Sequence, residues 1–227
     1  MRALVAGHRC VDEAEADSQR RILALIEEAP DPRSRHHFEP GHLTASAVVV
    51  DHELERALLI FHAKLGLWLQ PGGHFEPAEL DPLSAALREV REETGIAALP
   101  YEGDALRPGS PPDDLPTRSL LDLDVHAIPA RKSEPLHHHF DLRFLVVAPP
   151  GAQPYAGDGA EAIRWIEAPV SGSVSGSVSG SVSGSVSGSV SGSVSGSVSG
   201  TVSGGPELLA ELDPGLRRAL GKVPWRR

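Results

Sequence analysis

The sequence predicts one α/β domain, a sandwich built around a mixed β-sheet, and three observations lead to this fold class. Apolar runs typical of strands occur between amphipathic helical segments, in no regular order along the chain. Hydrophobic residues make up 40% of the 227 residues, which is enough for one sizeable core. The segment 170–205 is almost entirely Ser, Gly and Val. Because such side chains cannot offset their ordering entropy by burial, we expect a flexible linker there.

Charge and composition narrow the function classes. The formal net charge of −10 argues against a protein that coats a nucleic-acid polymer, which needs a basic face. No apolar run approaches the roughly 20 residues of a membrane span, so no membrane partner is expected. Cys10 is the only cysteine, which excludes an intrachain disulfide and favours a reducing, cytoplasmic compartment. A homo-oligomer is compatible with the sequence.

The elements of the first third are predicted from hydrophobic periodicity and helix breakers. A helix is expected over 12–28, because its apolar residues form one stripe and two prolines follow it. The next apolar runs are separated by polar or Gly-rich segments, and they predict strands over 43–50, 57–62 and 65–70. The segment 57–62 is the expected hairpin partner of 43–50.

A second helix has clear start and stop signals. Asp81 can cap the free N–H groups, and Pro82 fits the first helical position because it needs no hydrogen-bond acceptor there. Gly95 is typical of the residue just after a helix. Apolar residues at i, i+3, i+4 and i+7 from Leu83 predict the buried face of this helix.

The remaining sequence is expected to complete the sheet and add one helix. Strands are predicted over 120–128, 137–148 and 162–168, and a short amphipathic helix over 207–220. The predicted organisation is an N-terminal helix and lead-in (1–40), a compact domain (41–169), the Ser/Gly/Val linker (170–205) and a C-terminal helix with a basic tail (206–227).

The second helix also carries a set of carboxylates. Glu89, Glu92 and Glu93 are spaced i, i+3, i+4, so they converge on one side, away from the apolar stripe. Like charges this close raise each other's pKa values unless a cation lies among them. Oxygen ligands of this kind suit Mg²⁺, or Mn²⁺, rather than zinc. Taken alone, the same pattern also fits an ordinary solvated helix face.

The run from Gly72 to Ile96 resembles the Nudix box of the Nudix hydrolase family. That pattern is Gly, five residues, Glu, seven residues, then Arg-Glu-U-x-Glu-Glu-x-Gly-U, where U is a bulky aliphatic residue. The positions that match in kind are Gly73, Glu79, Arg88, Glu89, Val90, Glu92, Glu93, Gly95 and Ile96. Eight residues, not seven, separate Glu79 from Arg88. The insertion leaves the helical carboxylates in register, but it leaves open whether Glu79 or Glu76 fills the first Glu position.

The resemblance implies a Nudix-like α/β/α sandwich around a mixed β-sheet, with a Mg²⁺-dependent site. Glu92 and Glu93 resemble the principal metal ligands, with the backbone carbonyl of Gly72 beside them. Glu89 resembles a further ligand or the base that activates water. Arg88 resembles a residue that orients a carboxylate through a charge-assisted hydrogen bond. Glycine at this bend lets the backbone approach an ion closely.

The strand predicted over 137–148 offers candidates for substrate binding. His139, Asp141 and Arg143 alternate along it and therefore share one face. If that face lines the cleft, Arg143 could bind a phosphate and Asp141 could orient it. A solvated or salt-bridged strand face is the competing interpretation, and the pattern favours it. The three consecutive histidines at 137–139 point to alternate sides, which favours a structural role over metal binding.

One further metal ligand is expected after the box. Glu161 lies where many members of the resembled family place a late acidic ligand, and Asp158 is its competitor. Neither residue lies in a pattern that decides between them.

The predicted function is divalent-metal-dependent cleavage of a pyrophosphate bond in a nucleoside diphosphate linked to another moiety, by attack of water at phosphorus. An isopentenyl-diphosphate isomerase on the same fold is one alternative, but its chemistry needs a cysteine deep in the site, and Cys10 precedes the predicted helix over 12–28. A non-catalytic nucleotide-binding module is another alternative, although it has no need of the carboxylates. The expected partner is therefore a small nucleotide or diphosphate, whose identity the sequence leaves open.

Overall fold

A computed structural model describes residues 1–62, 65–102, 120–131, 134–168 and 212–226. The Ser/Gly/Val linker predicted over 170–205 lies outside the described residues, as do residues 207–211 of the predicted C-terminal helix. Within the described ranges, no helix combines the length and the apolar character that a membrane crossing requires.

The described ranges contain four helices and eight strands. The helices are α1 Arg2–Gly7, α2 Glu13–Glu28, α3 Pro82–Thr94 and α4 Pro214–Lys222. The strands are β1 Gly41–Val50, β2 Arg56–His62, β3 Leu67–Leu69, β4 Gly72–His74, β5 Leu99–Pro100, β6 Leu120–Ile128, β7 His137–Val147 and β8 Ala162–Glu167. Helices α2 and α3 and the strands predicted from the sequence lie within two residues of their expected bounds.

Helix α1 was not predicted, because six residues give too little periodicity to recognise. Its Leu4 and Val5 are buried, and it packs on α2. The side-chain amide of Gln19 in α2 donates to the carbonyl oxygens of Val5 and His8, at 2.8 Å each. Tertiary packing and these hydrogen bonds therefore stabilise a helix too short to be stable in isolation.

The eight described strands form one mixed sheet with β1 at its centre. β1 runs parallel to β7 over ten residue pairs, from Gly41 opposite His138 to Val50 opposite Val147. On its other edge, β1 pairs antiparallel with β4 near Thr44 and with β2 near Val50. β3 and β8 extend the sheet from β2, while β5 and β6 pair with β7. This arrangement confirms the predicted hairpin of β1 and β2.

Apolar clusters cover both faces of the sheet. On one face, residues of α2 and α3 such as Ile22 and Val90 pack against Leu43 and other alternate residues of β1. On the opposite face, Leu216 of α4 packs against Val48 and its neighbours. Helices therefore flank the sheet on both sides, and the predicted α/β/α sandwich is confirmed.

Candidate active site

Helix α3 is positioned by the signals that its sequence carries. The carboxylate of Asp81 accepts hydrogen bonds from the backbone N–H and the hydroxyl of Ser84, at 2.9 and 2.7 Å. Gly95 ends the helix in the left-handed region, with φ of 70°, where a side chain would be strained. Between these ends Val90 is fully buried against the sheet, so the orientation of the other faces of α3 is fixed.

A glycine bend lies beside α3. Strand β4 begins at Gly72, which is paired with Ser46 of β1, and a Cβ at Gly72 would lie 2.3 Å from the Ser46 Cβ. A Cβ at Gly73 would lie 2.6 Å from Oε1 of Glu89. The backbone N–H of Gly72 donates to Oε2 of Glu93 at 2.9 Å. Both glycines are therefore needed for the strand to lie this close to β1 and to the carboxylates of α3.

Arg88 organises the carboxylates of this site. Its Nη1 lies 3.0 Å from Oε1 of Glu89 and 2.7 Å from Oε2 of Glu92. Its Nη2 donates to the backbone carbonyl of His74 at 2.8 Å. Arg88 thus joins α3 to His74, the last residue of β4. Its positive charge also reduces the repulsion between the glutamates.

Contacts with Arg88 decide whether Glu76 or Glu79 fills the first Glu position of the motif. Glu79 accepts from Nε of Arg88 at 2.8 Å and from Nη2 at 3.0 Å, which is a bidentate pair. Glu76 is exposed, and it contributes its backbone N–H to Glu79 Oε2 at 2.8 Å. Glu79 is therefore the residue that supports Arg88, despite the extra residue in the loop between them.

Burial raises the pKa values of two of the glutamates on α3. Burial, with smaller contributions from the charges of Glu89 and Glu92, raises the pKa of Glu93 to about 8, against the opposing hydrogen bond from Gly72. Burial also raises the pKa of Glu89, while Arg88 opposes that shift. A divalent cation would favour the ionised forms of these groups, so their chemistry fits an oxygen-ligated Mg²⁺ or Mn²⁺.

The carboxylates of Glu89 and Glu92 meet at Arg88, whereas that of Glu93 is held at Gly72. Two groups of side chains in the described ranges do bring potential metal-ligating atoms within 4.8 Å of one another, and neither includes these glutamates. One group is His42, His137 and His139, and the other is His8, Cys10 and Glu15. Binding of one ion by all three glutamates therefore requires their side chains to rotate from these positions.

The segment before β8 passes the end of α3. The backbone N–H of Asp158 donates to the carbonyl of Glu92 at 3.1 Å, and a Cβ at Gly159 would lie 3.2 Å from Oε1 of Glu93. Glu161 is exposed at the start of β8, where its backbone N–H donates to Phe61. Of the two candidates, only the backbone of Asp158 is hydrogen-bonded to α3 in the contacts given above. The ligand role of Glu161 stays a prediction.

Arg143 and Asp141 lie in a buried ionic network. The guanidinium of Arg143 is 2% exposed, and it lies 2.9 Å from Asp122 and 3.4 Å from Asp141. Asp141 also accepts from the hydroxyls of Thr44 and Ser46, at 3.0 and 2.6 Å. This is the salt-bridged strand face that the sequence left as the alternative. It leaves Arg143 no exposed surface on which to receive a phosphate.

His139 lies among other histidines. Residues 137 and 139 share one face of β7, as the alternation predicted, and they meet His42 of β1 and His74 of β4. Burial lowers the pKa of His42 and of His74 to about 4, and that of His139 to about 2, so these rings are neutral at pH 7. Sequence reasoning did not identify His42 and His74, because only the pairing of the strands brings them to this face.

Cys10 lies in a different group of residues. It is half-buried between α1 and α2, with His8 and Glu15 nearby. Burial and the charge of Glu15 raise the pKa of its thiol. A raised pKa disfavours the reactive thiolate, so this cysteine does not fit the isomerase chemistry considered above.

Comparison with known proteins places this arrangement in a family. A family model described as the NUDIX domain matches residues 40–169, whereas no match was found among curated proteins. Similar solved structures include a NUDIX-family hydrolase from Clostridium perfringens, 25% identical, covering 59% of this chain and 82% of that one, with a TM-score of 0.37.

Two further solved structures show comparable similarity. A MutT NUDIX hydrolase from Burkholderia pseudomallei is 25% identical, covering 54% of this chain and 80% of that one, with a TM-score of 0.37. The E. coli dihydroneopterin triphosphate pyrophosphohydrolase is 18% identical, covering 56% of this chain and 81% of that one, with a TM-score of 0.41. Because the family model spans more than half of the sequence, the chain belongs to the Nudix hydrolase family.

Proposed function

We propose that this Nudix hydrolase cleaves a pyrophosphate bond in a nucleoside diphosphate linked to another moiety, with Mg²⁺ or Mn²⁺ as cofactor. The observation that carries the proposal is the arrangement around the glycine bend. Glu89 lies against Gly73, Glu93 accepts from Gly72, and Arg88 joins the helix to the same strand. A proposed cytoplasmic location rests on the lone cysteine, which favours a reducing compartment.

The proposed ligands are Glu92 and Glu93 with the carbonyl oxygen of Gly72. Glu89 is a further ligand or the base that activates water, and Glu161 remains a candidate ligand from its place in the sequence. When bound, the ion neutralises charge on the phosphate oxygens and favours ionisation of the attacking water. The ligands are all oxygens, and this donor set fits Mg²⁺ or Mn²⁺.

The chain's own residues supply the remaining steps. Glu89 is the proposed base, because burial raises the pKa of its carboxyl toward the operating pH. A carboxylate oxygen of Glu89 would take the proton of the attacking water as the new O–P bond forms. The bridging P–O bond to the leaving phosphate would break at the same phosphorus, and the leaving phosphate would keep that electron pair. Nη1 of Arg88 donates one hydrogen bond to Glu89, and Arg88 is itself held by its pair with Glu79, so the base is positioned through Arg88.

The test is a substrate panel with a matched pair of variants. Nucleoside triphosphates, nucleotide sugars, ADP-ribose and dinucleotides are incubated with the chain and Mg²⁺ or Mn²⁺, and released phosphate or pyrophosphate is measured. Glu92→Gln with Glu93→Gln should lower the rate about 100-fold or more. Glu53→Gln with Glu55→Gln changes the charge equally at exposed positions between β1 and β2, and it should leave the rate unchanged. Equal rates for wild type and the Glu92/Glu93 variant would overturn the proposal.

A further inference from the structure

Four histidines form a cluster on a polar face of the sheet, separate from the carboxylates of α3. Two come from β7, one from β1 and one from β4. Ring centroids lie 4.9 Å apart for the pair 42/139, 5.0 Å for 42/74 and for 74/139, 5.1 Å for 42/137, and 5.3 Å for 137/139. The histidine cluster consists of His42, His74, His137 and His139.

Three of these side chains lie close enough together to converge on one metal ion. One ring nitrogen from each of His42, His137 and His139 lies within 4.8 Å of the other two. Nitrogens that share one tetrahedral Zn²⁺ lie about 3.4 Å apart, given Zn–N distances of about 2.0–2.1 Å. Modest rotation of the imidazole rings would therefore bring the three nitrogens onto one ion.

The hydrogen bonds of two rings fix which nitrogen is free. Nδ1 of His42 lies 3.1 Å from the carbonyl oxygen of His37, and Nδ1 of His137 lies 2.8 Å from that of Pro135. A carbonyl oxygen only accepts, so each Nδ1 carries the proton and each Nε2 keeps a lone pair. Histidines that bind metals are usually held in this way, with the second ring nitrogen bonded to a carbonyl or carboxylate.

The environment of the His42 Nε2 atom is an independent observation in favour of a metal ion in this cluster. His42 is 1% exposed, and its Nε2 has no hydrogen-bond partner among the described residues. Buried polar atoms are nearly always satisfied, because an unmade hydrogen bond costs free energy. A metal ion would use this lone pair.

We propose that His42, His137 and His139 bind a divalent transition metal of the zinc class, with His74 at the fourth position. Imidazole nitrogens suit Zn²⁺, Co²⁺, Ni²⁺ and Cu²⁺, whereas Mg²⁺ prefers oxygen. The ring of His74 lies 5.0 Å from those of both His42 and His139, but the group of nitrogens within 4.8 Å of one another contains only the other three histidines. His74 would therefore have to turn further than they do to take the fourth position. The site is thus chemically distinct from the glutamate site, and it does not depend on the proposed hydrolysis.

The proposed ion would join parts of the chain that are distant in sequence. It would link β1, β4 and β7, and through His42 it would hold the carbonyl of His37 in the segment ahead of β1. Phe38 of that segment packs against the ring of His137, with centroids 5.1 Å apart. Metal binding should therefore raise the thermal stability of the folded chain.

Cobalt is the probe for the test, because its visible absorption is strong in low-coordinate nitrogen sites and weak in octahedral oxygen sites. The full chain is stripped with a chelator, dialysed and titrated with Co²⁺ in the presence of excess Mg²⁺. We expect one equivalent to bind with strong absorption, Zn²⁺ to displace it, and the melting temperature to rise.

Variants separate this site from the glutamate site. His139→Gln and His137→Gln should weaken Co²⁺ binding tenfold or more and remove the strong absorption. His138→Gln is the matched control, because His138 lies in the same run of histidines but on the other face of β7. Glu92→Gln with Glu93→Gln should retain the absorption. Loss of the absorption in either control, or its retention in both His137 and His139 variants, would overturn the proposal.

X-ray absorption provides a test that does not depend on the folding of histidine variants. The Glu92/Glu93 variant is loaded with one equivalent of Zn²⁺, and the ligands of the ion are counted. Three or four imidazole nitrogens are expected. A ligand set of oxygen atoms alone would overturn the proposal, as would failure of the ion to remain bound on dialysis.

Discussion

Arg88 holds Glu79 through two parallel hydrogen bonds, from Nε to Oε1 at 2.8 Å and from Nη2 to Oε2 at 3.0 Å. The remaining nitrogen, Nη1, contacts Glu89 and Glu92. Hydrogen bonding by Arg88 lowers the pKa of Glu79, so the pair stays ionised. Glu79 therefore acts on the proposed catalytic residues through Arg88. Substitution of Arg88 tests whether this planar arrangement of hydrogen bonds matters for activity.

Arg88→Lys should lower kcat/KM by about 10- to 100-fold, because an ammonium group cannot make the two parallel bonds and also reach the glutamates. Arg91→Lys is the control, since Arg91 is exposed on the same helix, and it should retain full activity. Steady-state hydrolysis of the best panel substrate measures both. If Arg88→Lys were as active as wild type, the pairing with Glu79 would have no role in positioning.

Gly73→Ala should lower kcat/KM about 10- to 100-fold with little loss of thermal stability. The added Cβ would lie 2.6 Å from Glu89 Oε1, so the carboxylate must move, and misplacement of a catalytic group is costly. Gly221→Ala serves as the comparison, because a Cβ there meets nothing within 4 Å. In helix α4 this change should stabilise the fold by about 0.5–1 kcal/mol and leave kinetics unaltered. Normal kinetics for Gly73→Ala would contradict the proposal that the close contact between Gly73 and the Glu89 carboxylate matters for catalysis.

Asp122→Asn should destabilise the fold by about 3 kcal/mol, because it removes a buried counter-charge that three cations share. The Asp122 carboxylate is fully buried and pairs with Arg143 at 2.9 Å, Arg218 at 2.8 Å and Lys222 at 2.7 Å. Glu27→Gln removes a carboxylate from an exposed pair with Arg2 and should change stability little. Urea denaturation measures both variants, and equal midpoints would show that the buried network adds no stability.

The fold should lose stability as the pH falls from about 4 toward 2. Burial alone would raise the pKa of Asp124, but hydrogen bonding with His126 and the charges of Arg143 and Arg218 outweigh it and lower the pKa to about 2. The pKa of Glu15 is also lowered, because hydrogen bonds from His8 and Lys222 outweigh its burial. Both folded pKa values lie below the unfolded values of about 4. Their contribution is therefore present above pH 4 and is lost as pH falls through the folded values.

Glu15→Gln tests the origin of this acid sensitivity. The variant removes one of the two carboxylates, so its free energy of unfolding should depend less steeply on pH between about 4 and 2. Denaturant midpoints at several pH values measure the slope. Parallel slopes for the variant and wild type would assign the acid sensitivity to other groups.

The site on α3 was largely predictable because its signals are local. The cap at Asp81, the glycine at 95 and the spacing of the glutamates all act within one helix. The choice between Glu76 and Glu79 was not predictable, since it depends on the path of an irregular loop. The contact with Arg88 decides it only once that loop is folded.

The polar face of the sheet could not be predicted from local patterns. Arg143 is buried because Asp122 on β6 supplies a partner, and that partner is fixed by strand pairing. His42 and His139 lie opposite each other because β1 and β7 are parallel. Long-range register of this kind leaves no trace in the spacing of residues along one strand.

The hydrogen bond from Gly72 to Glu93 makes one backbone amide a reporter on the glutamates. Its nitrogen lies 2.9 Å from Oε2 of Glu93, a carboxylate proposed to bind the ion. Occupation of that oxygen should alter the amide's NMR chemical shift and its exchange with solvent. A single ¹⁵N-labelled glycine resonance could thus follow cation loading without any substrate.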